Sequence, residues 1–203
     1  MRSEGEKSAQ SEKMSPSSCL CQYRIMDAIN SLEATAREID KYVARGGWDG
    51  QIHLFALVEA QKALAENPAL EADLPPGVKS EDLNSPQAML SIEQEDLPAA
   101  AGIGELLAQI AWPDTVDGAA LTVERILLPP AAEAKLPKDP QAALKALENH
   151  PDKQEARITA SVTRSGDAWC VIRLRAYDTE KMVLSGAELA PGITQALAQT
   201  FQD

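Results

Sequence analysis

Two alternating segments separated by a three-residue turn constrain this chain more than anything else in it. In ARITASVTR, Ile158, Ala160 and Val162 alternate with Arg157, Thr159, Ser161 and Thr163. This is the period-two pattern of a strand with one apolar face. Ser165-Gly166-Asp167 makes a short turn. AWCVIRLRAYD then returns with Cys170, Ile172, Leu174 and Ala176 on one side, and Trp169, Val171, Arg173 and Arg175 on the other. The pair reads as a β-hairpin. It predicts an antiparallel sheet whose first set of residues faces the core and whose second set faces water.

Ahead of the hairpin, WPDTVDGAALTVERILLPP runs from Trp112 to Pro130. It reads as a helix end, a turn at Asp114–Gly118, a strand over Ala119–Leu128 rich in Val, Ile, Leu and Thr, and a double-proline stop. Ile25, Ile29, Leu32, Ala36, Ile39 and Val43 recur at helical spacing and predict a first helix ended by Gly46-Gly47. Leu54, Leu57, Val58 and Leu64 predict a second helix over Gln51–Glu66, stopped by Asn67-Pro68. Asp96 as N-cap and Pro98 in the first turn start a third, reaching Trp112. Asp139-Pro140 starts a fourth, ending at Asn149, and a last helix runs from Pro191 to Phe201. Met89–Glu95 is open between strand and helix, and Lys181–Leu184 reads as a further short strand. The expected fold class is α+β: an antiparallel sheet of three to four strands, packed on one face by the N-terminal helices and the C-terminal helix.

Residues 1–22 are expected to be a disordered N-terminal tail, because the first eighteen hold polar, serine-rich clusters with almost nothing to bury. Residues 23–203 then form a single domain. The net charge is −12, and between Gly46 and Gly118 thirteen acidic residues face only Lys62 and Lys79. That balance disfavours nucleic acid, whose phosphates call for a Lys/Arg surplus, and it makes an acidic face for a basic partner one reading of the section. No apolar run is long enough to cross a bilayer and the N-terminus has no apolar signal segment, so the expected compartment is the cytoplasm.

Chemistry-bearing motifs are sparse. Cys19, Cys21 and Cys170, with His53 and His150, supply no zinc or iron–sulfur spacing, and no metal or cofactor is expected. Cys170, on the inward side of its strand, reads as a small buried hydrophobe, and His150 as a cap for helix carbonyls. No GxSxG, P-loop, GxGxxG or HExxH pattern is present. Asp114 and Asp117 fit a divalent cation, although Asp in such turns more often bonds its own backbone. Glu124 and Arg125 point to opposite faces of their strand. Arg157, Arg173 and Arg175, sharing an expected wet face with Trp169, form the candidate binding surface, since guanidinium groups grip carboxylates or phosphates and Trp and Arg are enriched in hot spots. A solvated strand face is the plainer account of the same residues.

Trp48-Asp49, Phe55–Val58, Glu93–Pro98, the WP…VDGAA…VER…LPP run, His150-Pro151 and the terminal VLSG…L.PG…AL pattern together resemble a family of small actinobacterial proteins with no assigned activity. The resemblance covers residues 25–203 and implies a soluble cytosolic protein. The residues themselves predict a non-catalytic protein-binding or adaptor module. An enzyme acting on a small anionic substrate through the arginine face, with Asp114 or Glu124 as base, and a structural homodimer are the alternatives.

Overall fold

The computed structural model describes residues 32–73, Leu83 and 88–202. The expected tail, the first turns of the first helix with Ile25 and Ile29, and most of the connector between 74 and 87 lie outside the described residues. The elements are α1 (Leu32–Ala44), β1 (His53–Glu59), α2 (Ala60–Glu66), β2 (Met89–Glu93), α3 (Ile103–Leu107) and β3 (Gly118–Leu127). They continue as α4 (Pro130–Glu133), α5 (Pro140–Glu148), β4 (Gln154–Thr163), β5 (Ala168–Leu174), β6 (Leu184–Gly186) and α6 (Pro191–Gln199), with short 3-10 turns at Pro68–Asp73, Arg175–Tyr177 and Glu180–Met182.

One antiparallel sheet of six strands, in the order β2-β1-β3-β4-β5-β6, organises the chain. The expected three to four strands therefore become six. The hairpin is as read: Ile158 pairs with Ile172 and Ser161 with Trp169, and Gly166 takes φ 102° in the turn. Gly118, where β1, β3 and β4 meet, is required by packing: a Cβ there would lie 2.6 Å from the Val162 carbonyl oxygen.

The first half of the segment expected to be a second helix is instead β1, and only the second half, α2, is helical. Leu54, Phe55, Ala56 and Leu57 are all buried, since β1 is covered on both faces. A strand so placed carries an unbroken apolar run whose spacing also satisfies a helix. The third helix shrinks to α3. Asp96 does not cap it but sits at φ 54°, and the chain stays irregular to Gly102. Asp139 does cap α5, accepting from Ala142 N at 2.9 Å.

Helices cover both faces of the sheet rather than one. On β3, Ala119, Leu121 and Val123 pack with Leu54, Ile158, Val162, Ile172, α3 and Leu197 of α6. Ala120, pointing the other way, joins Phe55 and Leu57 beneath Ile39 and Val43 of α1. Consecutive residues of one strand lie on opposite faces, so α1 and α6 are on opposite sides. No described helix is long and apolar enough to cross a membrane.

Candidate functional site

The face expected to be wet is closed. α1 lies on it, leaving the cross-strand pair Arg157 and Arg173 at 1% and 3% exposure, with Thr159 and Ser161 further along β4 fully buried. Arg173 reaches Asp40 of α1, itself buried, through Nη2–Oδ2 at 2.6 Å and Nε at 3.1 and 3.2 Å from the two oxygens. Asp178 and Glu180 take its remaining fork, each at 3.1 Å. Burial opposes the charge on Arg173, but the hydrogen bonds and field of Asp40 outweigh it and its pKa is raised. Arg175 leaves β5 for the following 3-10 turn and is exposed. It donates to both oxygens of Asp49, at 2.7 and 2.8 Å, and to Glu155 at 2.8 Å. Arg157 donates through Nη2 to Gly47 O and to Glu124 Oε1. The Trp48 ring lies 4.5 Å from the Arg157 Cζ and 5.5 Å from that of Arg175.

Three guanidinium groups are thus met by six carboxylates: Asp40, Asp178 and Glu180 on Arg173, Asp49 and Glu155 on Arg175, and Glu124 on Arg157. Arg173 and Arg175 are internal ion-pair partners rather than free cations. Trp48 further donates to Asp178 at 2.8 Å; that hydrogen bond, then Arg173, holds the Asp178 carboxyl below the usual range.

The other candidates separate. Asp114 is exposed. Asp117 accepts from the backbone N of Glu59 at 2.8 Å and from Lys62 at 3.1 Å, so both its oxygens are engaged and the two aspartates share no cation geometry. The His150 ring accepts from Asp152 N at 3.1 Å instead of capping carbonyls. Cys170 is fully buried, and burial pushes its thiol pKa up, away from the reactive thiolate.

Trp169 leads somewhere different. It lines a hollow of about 900 Å3 at the end of the sheet, between the start of α1, the β4–β5 turn and the start of α6. Glu33, Glu59, Asp167 and Glu188 stand around this hollow, Leu32 and Met89 supply apolar wall, and among the described residues no Lys, Arg or His lines it, although Glu33 is paired with Arg37 at 3.0 Å. Glu59 and Glu188 form no ion pair among the described residues. The Trp169 indole N–H and the Ser161 hydroxyl, opposite each other in the sheet register, are buried without a hydrogen-bond partner. A buried donor left unpaired costs free energy, and such exceptions call for an explanation.

A second, smaller cavity of about 290 Å3 lies where the Gly46–Gly50 loop meets the sheet, lined by Arg45, His53, Thr122, Glu124 and Arg157 among others. His53 Nδ1 is 2.6 Å from Glu93 Oε1, and Tyr42 donates to the other Glu93 oxygen at 2.7 Å. Sequence reasoning missed this group because it placed His53 in a helix. Read as a strand, His53 pairs with Thr122, whose second neighbour Glu124 pairs with Arg157.

No curated protein and no solved structure matches this chain. A family model described as PPA1309-like protein matches residues 32–202, spanning α1 to the end of α6. The chain belongs to the PPA1309-like protein family.

Proposed function

We propose that this protein is a non-catalytic binding module that receives a basic segment of a partner protein in the hollow beside Trp169. The observation that carries the reading is the lining: among the described residues, four carboxylates of which only Glu33 has an ion-pair partner, an indole, apolar wall and no basic group around about 900 Å3. Lysine and arginine side chains suit this combination, since carboxylates pair with their charge and an indole face attracts it. The net charge of −12 favours the same partner by drawing a basic segment towards the protein. Arg173 and Arg175 take no part in this reading, because their charges are already met from within. The compartment we infer is the cytoplasm, in keeping with a free cysteine held in the core.

Titrating a short Lys/Arg-containing peptide and its glutamine counterpart against the protein tests this. The basic peptide binds at least about tenfold more tightly and weakens with added salt, and a Glu59→Lys, Glu188→Lys double variant loses that preference while keeping its fold. Equal affinity for the two peptides, or an unchanged preference in the folded variant, contradicts the reading.

Self-association is a second reading favoured by one observation. The end strand β6 is three residues long, and Met182, Leu184 and Leu189 around it are 52%, 53% and 41% exposed. Sedimentation across a range of concentrations separates a stable homodimer from a monomer.

A further inference from the structure

Arg157 is the most deeply buried cation of the described chain, and it is incompletely satisfied. Of the five N–H bonds a guanidinium offers, those of Nη2 meet Gly47 O and Glu124, while Nε and Nη1 have no partner. An unpaired buried donor on a charged group is more costly than one on a neutral group. Arg157 nevertheless lines a cavity of about 290 Å3, beside the His53 ring. Among the charged side chains lining it, Arg45 and Arg157 outnumber Glu124. The lining itself therefore carries one net positive charge, with Glu93 standing behind it on His53 and Tyr42, in a protein that is acidic as a whole. With His53 Nδ1 held by Glu93, Nε2 is the ring nitrogen left for a ligand.

The cover over Arg157 is the loop Gly46-Gly47-Trp48-Asp49-Gly50. Trp48 stacks on the guanidinium at 4.5 Å. Gly47 and Asp49 take φ values of 83° and 65°, the left-handed region. A Cβ added at Gly47 or Gly50 would touch nothing within 4 Å, so the loop is not wedged into the core. Four side-chain hydrogen bonds hold it down: Asp49 to the exposed Arg175, Asp49 N to Glu124, Trp48 Nε1 to Asp178, and Arg157 Nη2 to Gly47 O, the last of which a lifting loop gives up. The unpaired nitrogens are out of solvent's reach and Trp48 covers one face of the guanidinium, so the route we assign to a ligand is the lifting of this loop.

We infer that the cavity beneath the Gly46–Gly50 loop is a binding site for a small monocarboxylate, whose carboxylate bonds the unpaired N–H groups of Arg157 and whose remaining polar atoms face His53. The class follows from charge and size. One net positive charge matches a carboxylate better than a doubly charged phosphate, and about 290 Å3 admits a compact acid but not a nucleotide. This site lies apart from the Trp169 hollow, and the two readings stand or fall separately.

Acetate, the probe, is titrated into the full chain while tryptophan emission and binding heat are followed, with inorganic phosphate in a parallel arm. Saturable acetate binding in the millimolar range is expected, with a change in emission as Trp48 leaves Arg157. Arg157→Met should weaken it at least about tenfold. Because that variant can fail to fold, Glu124→Gln supplies the second test: it removes the carboxylate competing for Arg157 and should tighten acetate severalfold in a folded protein. Absence of saturable acetate binding in both wild type and Glu124→Gln overturns the inference, and so does tighter binding of phosphate than of acetate.

Discussion

The two faces of the sheet are buried to similar depth by different means. Beneath α3 and α6 the contacts are Leu54, Leu121, Ile158, Val162, Ile172 and Leu197, an apolar layer held by area and fit. Beneath α1 the sheet adds to the apolar Phe55, Leu57 and Ala120 a polar stretch of Thr122, Thr159, Ser161, Arg157 and Arg173, where stability depends on each polar group finding its partner. Thr122 and Thr159 bond each other at 2.9 Å, and Arg173 finds Asp40. Trp169, Ser161 and two nitrogens of Arg157 find nothing. Both proposed sites lie on the α1 face, because among the described residues the buried side-chain groups left unpaired all lie there.

Removing one partner from the α1 face should have the largest effect. Asp40→Ala leaves Arg173 buried against the weaker, more exposed Asp178 and Glu180, and should cost about 3–5 kcal/mol. Replacing Asp40 and Arg173 together by apolar residues of similar volume should recover most of that loss. Denaturant midpoints for the single and double variants check it; equal destabilisation by both would show that packing, not pairing, governs this face.

On the opposite face the expected cost is set by volume. Leu121→Ala, at a fully buried position, should cost about 2–5 kcal/mol by opening a cavity. Leu121→Met should cost less than about 1.5 kcal/mol. A methionine variant as unstable as the alanine variant would contradict the contrast.

Acid titration sharpens it further. The Asp178 carboxyl is held below its ordinary 3.8 by Trp48 and Arg173. A lowered folded pKa contributes stability that is complete above the unfolded value and is lost as pH falls through the folded one. The stability gap between wild type and Asp178→Asn should therefore be full above about pH 4 and close below it. A gap that persists unchanged into acid would remove Asp178 from the network. The smallest effect belongs to the exposed pair: Arg175→Ala should move the denaturant midpoint least of these variants, and less still at high salt.

Much of the fold was legible from alternation alone. The phase of β4 and β5 is correct along both strands, with Ile158, Val162 and Ile172 buried and Leu174 half-buried, but Ala176, also read as inward, falls in the exposed 3-10 turn after β5. The far face was misjudged because alternation reports which side a residue takes, not what lies above it. Arg157, Thr159 and Arg173 look solvated in sequence, and the aspartate that buries Arg173 lies 133 residues away. β1 was hidden by its own burial on both faces. Of the candidate sites, Trp169 was visible as an outward tryptophan, but its acidic surroundings come from α1, β1, the hairpin turn and the approach to α6, which only the fold brings together.

The central claim is that the unpaired end of the α1 face, at Trp169, is where a basic partner segment binds. The three tryptophan indole N–H groups report on it directly: Trp48 is bonded to Asp178, Trp112 to Thr200 at 2.9 Å, and Trp169 to nothing. Two-dimensional NMR of the 15N-labelled protein, titrated with the Lys/Arg-containing peptide, follows all three at once. The account predicts that the Trp169 indole signal moves with the peptide while those of Trp48 and Trp112 stay in place. A stationary Trp169 signal at saturating peptide, or movement confined to Trp48, would contradict it.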